Sequence, residues 1–260
     1  MSLPKVVIKS KALKISGLHR DFLFSFLMLL FLTSLLAYQS AFALSSSFKE
    51  YSIEEVGYAH QQRHSNFSHA QMAFENQDYA YSAKLLGELA EMGHTEAQYL
   101  LATQYDTGLG VKRNTASSFY WYKQAARAGV SIAQHNLAVA YAQGSGIQQD
   151  VSKAITWWKR AANKGHTDSQ FNLGIIYATG NGLRKPDMKQ ALKWWRMAAN
   201  NGDAAAQFNL GALYANGLGS TSVRKCEAMH WLQRSQENGF EQAQNALAHM
   251  KGSVDLSTCK

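Results

Sequence analysis

The chain has 260 residues, two of them proline and two cysteine, and a net charge of +8 that is unevenly spread. Residues 1–43 hold five cations and one acid, which leaves 21 basic against 17 acidic residues, a balance of +4, for the rest. That is too mild for nucleic-acid binding, and no basic cluster is interleaved with stacking aromatics outside the segments read below as packed helices.

The amino end reads as an export segment. Lys5, Lys9, Lys11, Lys14 and Arg20 precede Phe22–Tyr38, an apolar run broken only by Ser25, Thr33 and Ser34. Ala41-Phe42-Ala43 then supplies a small-x-small cleavage site, so residues 1–43 are expected to be a signal peptide that leaves Leu44 as the new amino terminus. The run of 17 residues exceeds the usual h-region of about 7–15 and sits near the lower limit for spanning a bilayer. A retained signal anchor over 22–38 therefore stays open. Either way the cations hold the amino end in the cytoplasm. The remainder is expected to be periplasmic or secreted, or membrane-anchored with its bulk outside the cytoplasm, touching membrane only through the amino-terminal segment if that is uncleaved. No cysteine stands directly after the cleavage site, which disfavours a lipoprotein anchor.

Residues 44–68 read as a linker with a short helix, because Ser52-Ile53-Glu54-Glu55 fits a capping box. His60, His64 and His69 lie close together, but a zinc site needs three or four convergent ligands with outer support, and the intervening Gln61, Gln62 and Arg63 supply none. They are read as solvated histidines, with no metal site. Residues 69–93 form an atypical helix pair, a short first helix near His69–Asn76 and a second over Ala80–Gly93.

Beyond this point the sequence repeats. Gly93, Gly129, Gly165, Gly202 and Gly239 recur at intervals of 36, 36, 37 and 37 residues, the mark of a stacked array. Within one unit Ala133, Leu137, Ala138 and Tyr141 form one stripe of an amphipathic helix, matched by Ala97, Leu101, Ala102 and Tyr105 and by their counterparts downstream. Small residues beside Leu let a second helix approach closely. A Gly-x-Gly (Gly108/Gly110, Gly144/Gly146, Gly180/Gly182, Gly217/Gly219) ends that first helix. Asn114, Asp150 and Asp187 then cap a second helix, and Ser222 takes that place in the fourth unit. Second helices carry Trp121, Trp157, Trp194 and Trp231, followed by Tyr122, Trp158, Trp195 and Leu232. Opposite alanine pairs, these rings read as core. The residue after each period glycine (His94, Val130, His166, Asp203, Phe240) varies freely and reads as loop. Glu241–Lys251 repeats the first-helix pattern once more, so residues 94–251 are four repeats plus a closing helix and 252–260 a tail. The expected fold is all-α, an α/α solenoid of antiparallel helix pairs.

From Glu96 to Gly239 these residues resemble the Sel-one-like repeat family, a relative of the tetratricopeptide repeat, whose unit reads A-x-x-x-L-G-x-x-Y-x-x-G-x-G-V…D-x-x-K-A-x-x-W-Y-x-K-A-A-x-x-G. The resemblance implies an α/α superhelix acting as adaptor or scaffold for a protein or peptide partner, here in the cell envelope, without a cofactor. In the tetratricopeptide arrangement first helices line a concave surface. Transferred here, that puts Tyr99, His135, Phe171, Phe208 and Asn245 in a partner-binding ladder, with Thr103, Val139, Ile175, Ala212 and His249 one helical turn on. An aromatic and aliphatic groove with few charges suits an extended or helical peptide. The same rings could instead fill space between adjacent first helices.

The alternative function is a cell-wall-associated enzyme or polysaccharide-binding factor, implied by cysteine-rich relatives whose cysteine pair per repeat this chain lacks. Residue chemistry offers it no support. Ser46-x-x-Lys49 and Ser222-x-x-Lys225 match a nucleophile pair but lack the partner motifs S-D-N and K-T-G. The Gly-x-Gly turns lack the third glycine and the G-K-[ST] of nucleotide sites. No catalytic residue is assigned. Cys226 and Cys259, an even count in an exported chain, are expected to form a disulfide that ties the tail to the fourth second helix.

Overall fold

The computed structural model describes residues 53–183, 185–216 and 225–251. The export segment with its cleavage site, and Cys259, lie outside them. Among the described residues there are eleven helices and no strand. They are α1 (Ile53–Glu75), α2 (Tyr79–Glu91), α3 (Thr95–Thr107), α4 (Thr115–Arg127), α5 (Ser131–Gln143), α6 (Val151–Asn163), α7 (Thr167–Thr179), α8 (Met188–Asn200), α9 (Ala204–Ala215), α10 (Lys225–Glu237) and α11 (Glu241–Lys251). From α3 onward they alternate as first and second helices of a repeat, each packed on the next, and the expected α/α solenoid is the fold. The chain divides into two units. Of residues 1–60 only Ile53–His60 is described, as the opening turns of α1; Gln61–Lys260 carries the array. No helix among the described residues is long and apolar enough to cross a membrane.

One boundary differs from the sequence reading. A linker with a short helix, then a separate helix near His69–Asn76, is instead the single 23-residue α1. Nothing from Tyr58 to Glu75 is Gly or Pro, so no residue there interrupts the helix. It stops where Gln77 takes φ 65, alone among the described non-glycine residues in being left-handed.

Helix ends explain the period. At the end of α4 the Gly129 N–H donates to Ala126 O and the Val130 N–H to Ala125 O, both at 3.1 Å, with Gly129 at φ 100. These paired bonds are a Schellman motif, which needs a left-handed residue at the glycine. Gly93–His94, Gly165–His166, Gly202–Asp203 and Gly239–Phe240 repeat them. The residue after the glycine also starts the next helix: His94, His166 and Asp203 accept the N–H of Ala97, Ser169 and Ala206 on their side chains. The position read as a free loop is therefore a shared cap. It varies because His, Asp and Val all fit the extended backbone required, not because it is unconstrained.

At the other end of each pair Asn114, Asp150 and Asp187 cap the second helices as expected, accepting from Ala116 and Ser117, from Lys153 and from Gln190. Gly146 fits its turn for two reasons: φ is 72, and a Cβ there would stand 2.1 Å from Thr115 O.

The aromatic stripe is core. Tyr122, Trp158, Trp194, Trp195 and Leu232 are buried, while Trp121, Trp157 and Trp231 are half-buried against the same cluster. Two of the half-buried rings meet cations, with the Arg160 guanidinium 4.3 Å from the Trp157 ring and Arg234 5.3 Å from Trp231. A smaller cluster of Ala70, Leu86, Leu89, Ala90, Ala97 and Leu101 joins α1, α2 and α3, and Trp121 packs on both.

Candidate functional site

The ladder residues occupy equivalent positions on successive first helices. Tyr99, His135, Phe171 and Phe208 are half-buried, and Asn245 on the closing α11 is exposed. Their inner edges are engaged. Tyr99 lies 6.1 Å from Tyr122, ring to ring, and Phe171 packs on the main core. His135 stacks on His166 at 4.6 Å, and Phe208 lies 5.1 Å from Phe240. In the last two pairs a ladder ring meets the shared cap of the following repeat. Phe67 on α1 stacks on the cap His94 at 4.5 Å in the same way, a rung the sequence pattern did not reveal because α1 lacks the repeat's glycines. On the second rung Ile175 and His249 are exposed, and Thr103, Val139 and Ala212 are half-buried. The Thr103 hydroxyl lies 3.3 Å from that of Tyr122, whose ionisation burial pushes up.

One rung is polar. Ser169 stands where the other units have Ala97, Ala133, Ala206 and Ala243, and it is fully buried. Its hydroxyl lies 2.9 Å from His135 Nδ1 and 3.2 Å from His166 Nδ1, while its N–H donates to His166 Nδ1. His166 Nδ1 is thus an acceptor and carries no proton. Burial above all, then the neighbouring His166, pushes His135 down from 6.5 to about 4, with Asp168 pulling the other way. Burial lowers His166 as well.

A second polar series runs inside the core. Gln98, Gln134, Gln170 and Gln207 are buried, and each side-chain amide donates to the carbonyl of the helix behind, at Ala90, Ala126, Ala162 and Ala199, over 2.9–3.1 Å. Asn201 and Asn238 in turn donate to the Oε1 of Gln170 and Gln207 at 3.0 and 2.9 Å. The signal was present in the sequence, since one polar residue type holds the position after the core alanine or serine in four units running.

Cys226 stands in the first turn of α10, and its expected partner Cys259 lies outside the described residues. So do Ser46, Lys49 and Ser222. No group of three or more His, Cys, Asp or Glu able to hold a metal occurs among the described residues.

Helix pairs capped, stacked and tied in this way define a helical repeat array of the kind that generally serves as a protein-interaction scaffold. The Sel1 repeat matches four times in tandem, at residues 95–130, 131–166, 167–203 and 204–240, more than half of the chain. The chain belongs to the Sel1 repeat family. It is similar to a protective antigen present in uropathogenic Escherichia coli strains displaying an SLR fold, at 30% identity and a TM-score of 0.67 over 73% of this chain. The match takes in 41% of that antigen, so the chain spans about two-fifths of its length. It is also similar to a Sel1 repeat protein from Oxalobacter formigenes, at 27% identity and a TM-score of 0.64, over 74% of this chain and 77% of that one. No curated protein matches.

Proposed function

We propose that this chain is an exported cell-envelope adaptor that binds another protein or peptide along the first helices of its repeats. What supports the reading is a ladder of Tyr99, His135, Phe171 and Phe208 at equivalent positions, each with one edge packed and one edge open to solvent. Rigid, half-exposed rings at a fixed spacing are the residues that anchor interfaces. Export is read from the basic, apolar, Ala-x-Ala order of residues 1–43, and the proposed Cys226–Cys259 disulfide belongs to the same oxidising compartment.

The test is an affinity capture from envelope extract with wild type beside Phe171→Ala/Phe208→Ala, each checked by thermal melting. A partner held by wild type and lost by a double mutant that still melts cooperatively supports the ladder. Equal capture by a folded double mutant sinks it. Amino-terminal sequencing from the envelope fraction reads Leu44 if the signal is cleaved, and soluble full-length chain in the cytosol would refute export. Two alkylatable thiols in unreduced exported protein would refute the disulfide.

A further inference from the structure

We infer that the cleft formed by the end of α1, α2 and α3 is a binding site for a phenol-type ring. It encloses about 170 Å³. Ala70 and Leu86 are buried in its floor, and Phe74 and Leu100 stand at its wall. Two polar side chains line the same space, Ser82 at 0% exposure and Gln104 at 1%. Neither the Ser82 hydroxyl nor Gln104 Oε1 has a hydrogen-bond partner among the described residues. One N–H of the Gln104 amide donates to Tyr79 O at 3.5 Å.

Buried, unpartnered polar atoms are uncommon because each forfeits its hydration without return. Gln104 is also out of pattern. The other repeats hold Ala140, Ile176 and Leu213 at its position, all buried, so packing this helix pair does not require an amide. A free hydroxyl can donate and a free carbonyl oxygen can accept, and one ligand hydroxyl satisfies both by accepting from Ser82 and donating to Gln104. An ammonium has no lone pair for Ser82. A carboxylate has no proton for Gln104 and would meet Glu75 at the rim. The rest of the ligand must match apolar walls, and an apolar cavity of about 150 Å³ accepts a benzene-sized ring. A rigid ring beside Phe74 loses little rotational freedom and can meet that side chain edge to face.

Two sources carry this chemistry, a free small phenol or the tyrosine side chain of a bound partner. The second rests on the partner-binding reading, because Thr103 of the ladder's second rung also lines the cleft. The experiment titrates the full chain with p-cresol, with toluene, and with a Gly-Gly-Tyr-Gly-Gly peptide beside its Phe counterpart, by calorimetry and ligand-observed NMR. Wild type is expected to bind p-cresol with a Kd on the order of 0.1–1 mM and to prefer it to toluene. Gln104→Leu, which restores the residue type of the other repeats and should fold, is expected to weaken p-cresol about tenfold while leaving toluene unchanged or tighter. Ser82→Ala is expected to act in the same direction. Preference for the Tyr peptide over the Phe peptide assigns the site to a partner's tyrosine, and p-cresol binding without peptide binding assigns it to a free phenol; either supports the proposal. Absence of p-cresol binding to wild type, or equal binding to folded Gln104→Leu, overturns it. Phe171 and Phe208 line no part of this cleft, so loss of the ladder's partner and loss of the phenol are separate results.

Discussion

A methyl group added at Gly174 in α7 would stand 2.2 Å from Cδ1 of Trp195 in α8. The first helix of this repeat yields a side chain so that the second can bury an indole. Gly211 and Leu232 repeat the relationship one unit on, where the added carbon would stand 2.6 Å from Leu232 Cγ. Helix propensity favours Ala over Gly by about 0.5–1 kcal/mol, but overpacking a filled core costs about 1–3 kcal/mol. Gly174→Ala is therefore expected to lower stability, and Gly174→Ala/Trp195→Phe to lower it by less than the two single changes together. Urea unfolding of the four proteins closes the cycle; strictly additive losses would refute the contact.

The buried glutamines give a second expectation. Gln170 donates to Ala162 O and accepts from Asn201, so Gln170→Leu strips a partner from each while filling the same space. A loss of about 2–3 kcal/mol is expected. Gln104→Leu, which removes an amide whose Oε1 has no partner among the described residues, should cost little or add stability. The gap between two Gln→Leu changes in one fold is measurable as a difference between their shifts in unfolding midpoint.

His135 makes stability depend on pH. Its folded value of about 4 lies below the ordinary 6.5, so between these limits the unfolded chain binds more protons. The stability contributed by a neutral His135 is complete above 6.5 and falls as pH drops toward 4. The loss from this one group is about 1–2 kcal/mol once its partial exposure is allowed for. His135→Phe, which copies Phe171 and Phe208, is expected to flatten that part of the profile. An unchanged slope in denaturant midpoint between about pH 7 and about pH 4.5 would count against it.

Gln77 holds a left-handed conformation at φ 65 where the later joints use glycine. That conformation costs a non-glycine residue about 1–2 kcal/mol, part of which the added freedom of glycine in the unfolded chain would take back. Gln77→Gly is expected to raise stability by about 0.5–1 kcal/mol, read as a higher melting temperature.

Periodicity made most of this fold legible. Trp, Leu and paired Ala at fixed offsets announced which faces meet, and Asn114, Asp150 and Asp187 announced the second-helix caps. The length of α1 did not show, because its first turns lack the repeat pattern. Gln98 and its counterparts did not show, because a polar residue beside a core alanine looks like an exposed one until the carbonyl it meets is known. The pairing of His135 with Ser169 joins residues 34 apart, and the variable position holding His166 gave no warning that it caps a helix.

The shared cap has a bearing on how such a chain can change. Between a second helix and the next first helix lie only three residues, a C-cap, a glycine and one residue committed to both neighbours, and each is used in closing or opening a helix, so no spare residue exists there to gain or lose. The first-to-second turn is different. From Gly108 to Asn114 and from Gly144 to Asp150 is six steps, but from Gly180 to Asp187 it is seven, and the 37-residue third repeat owes its extra residue to that turn. Inserted sequence, whether by drift or by an engineer's hand, is thus admitted at one junction and refused at the other. Tags, loops or grafted epitopes placed after the first helices should line up along a single edge of the array, and lengthening it by any route other than whole units would break a helix end.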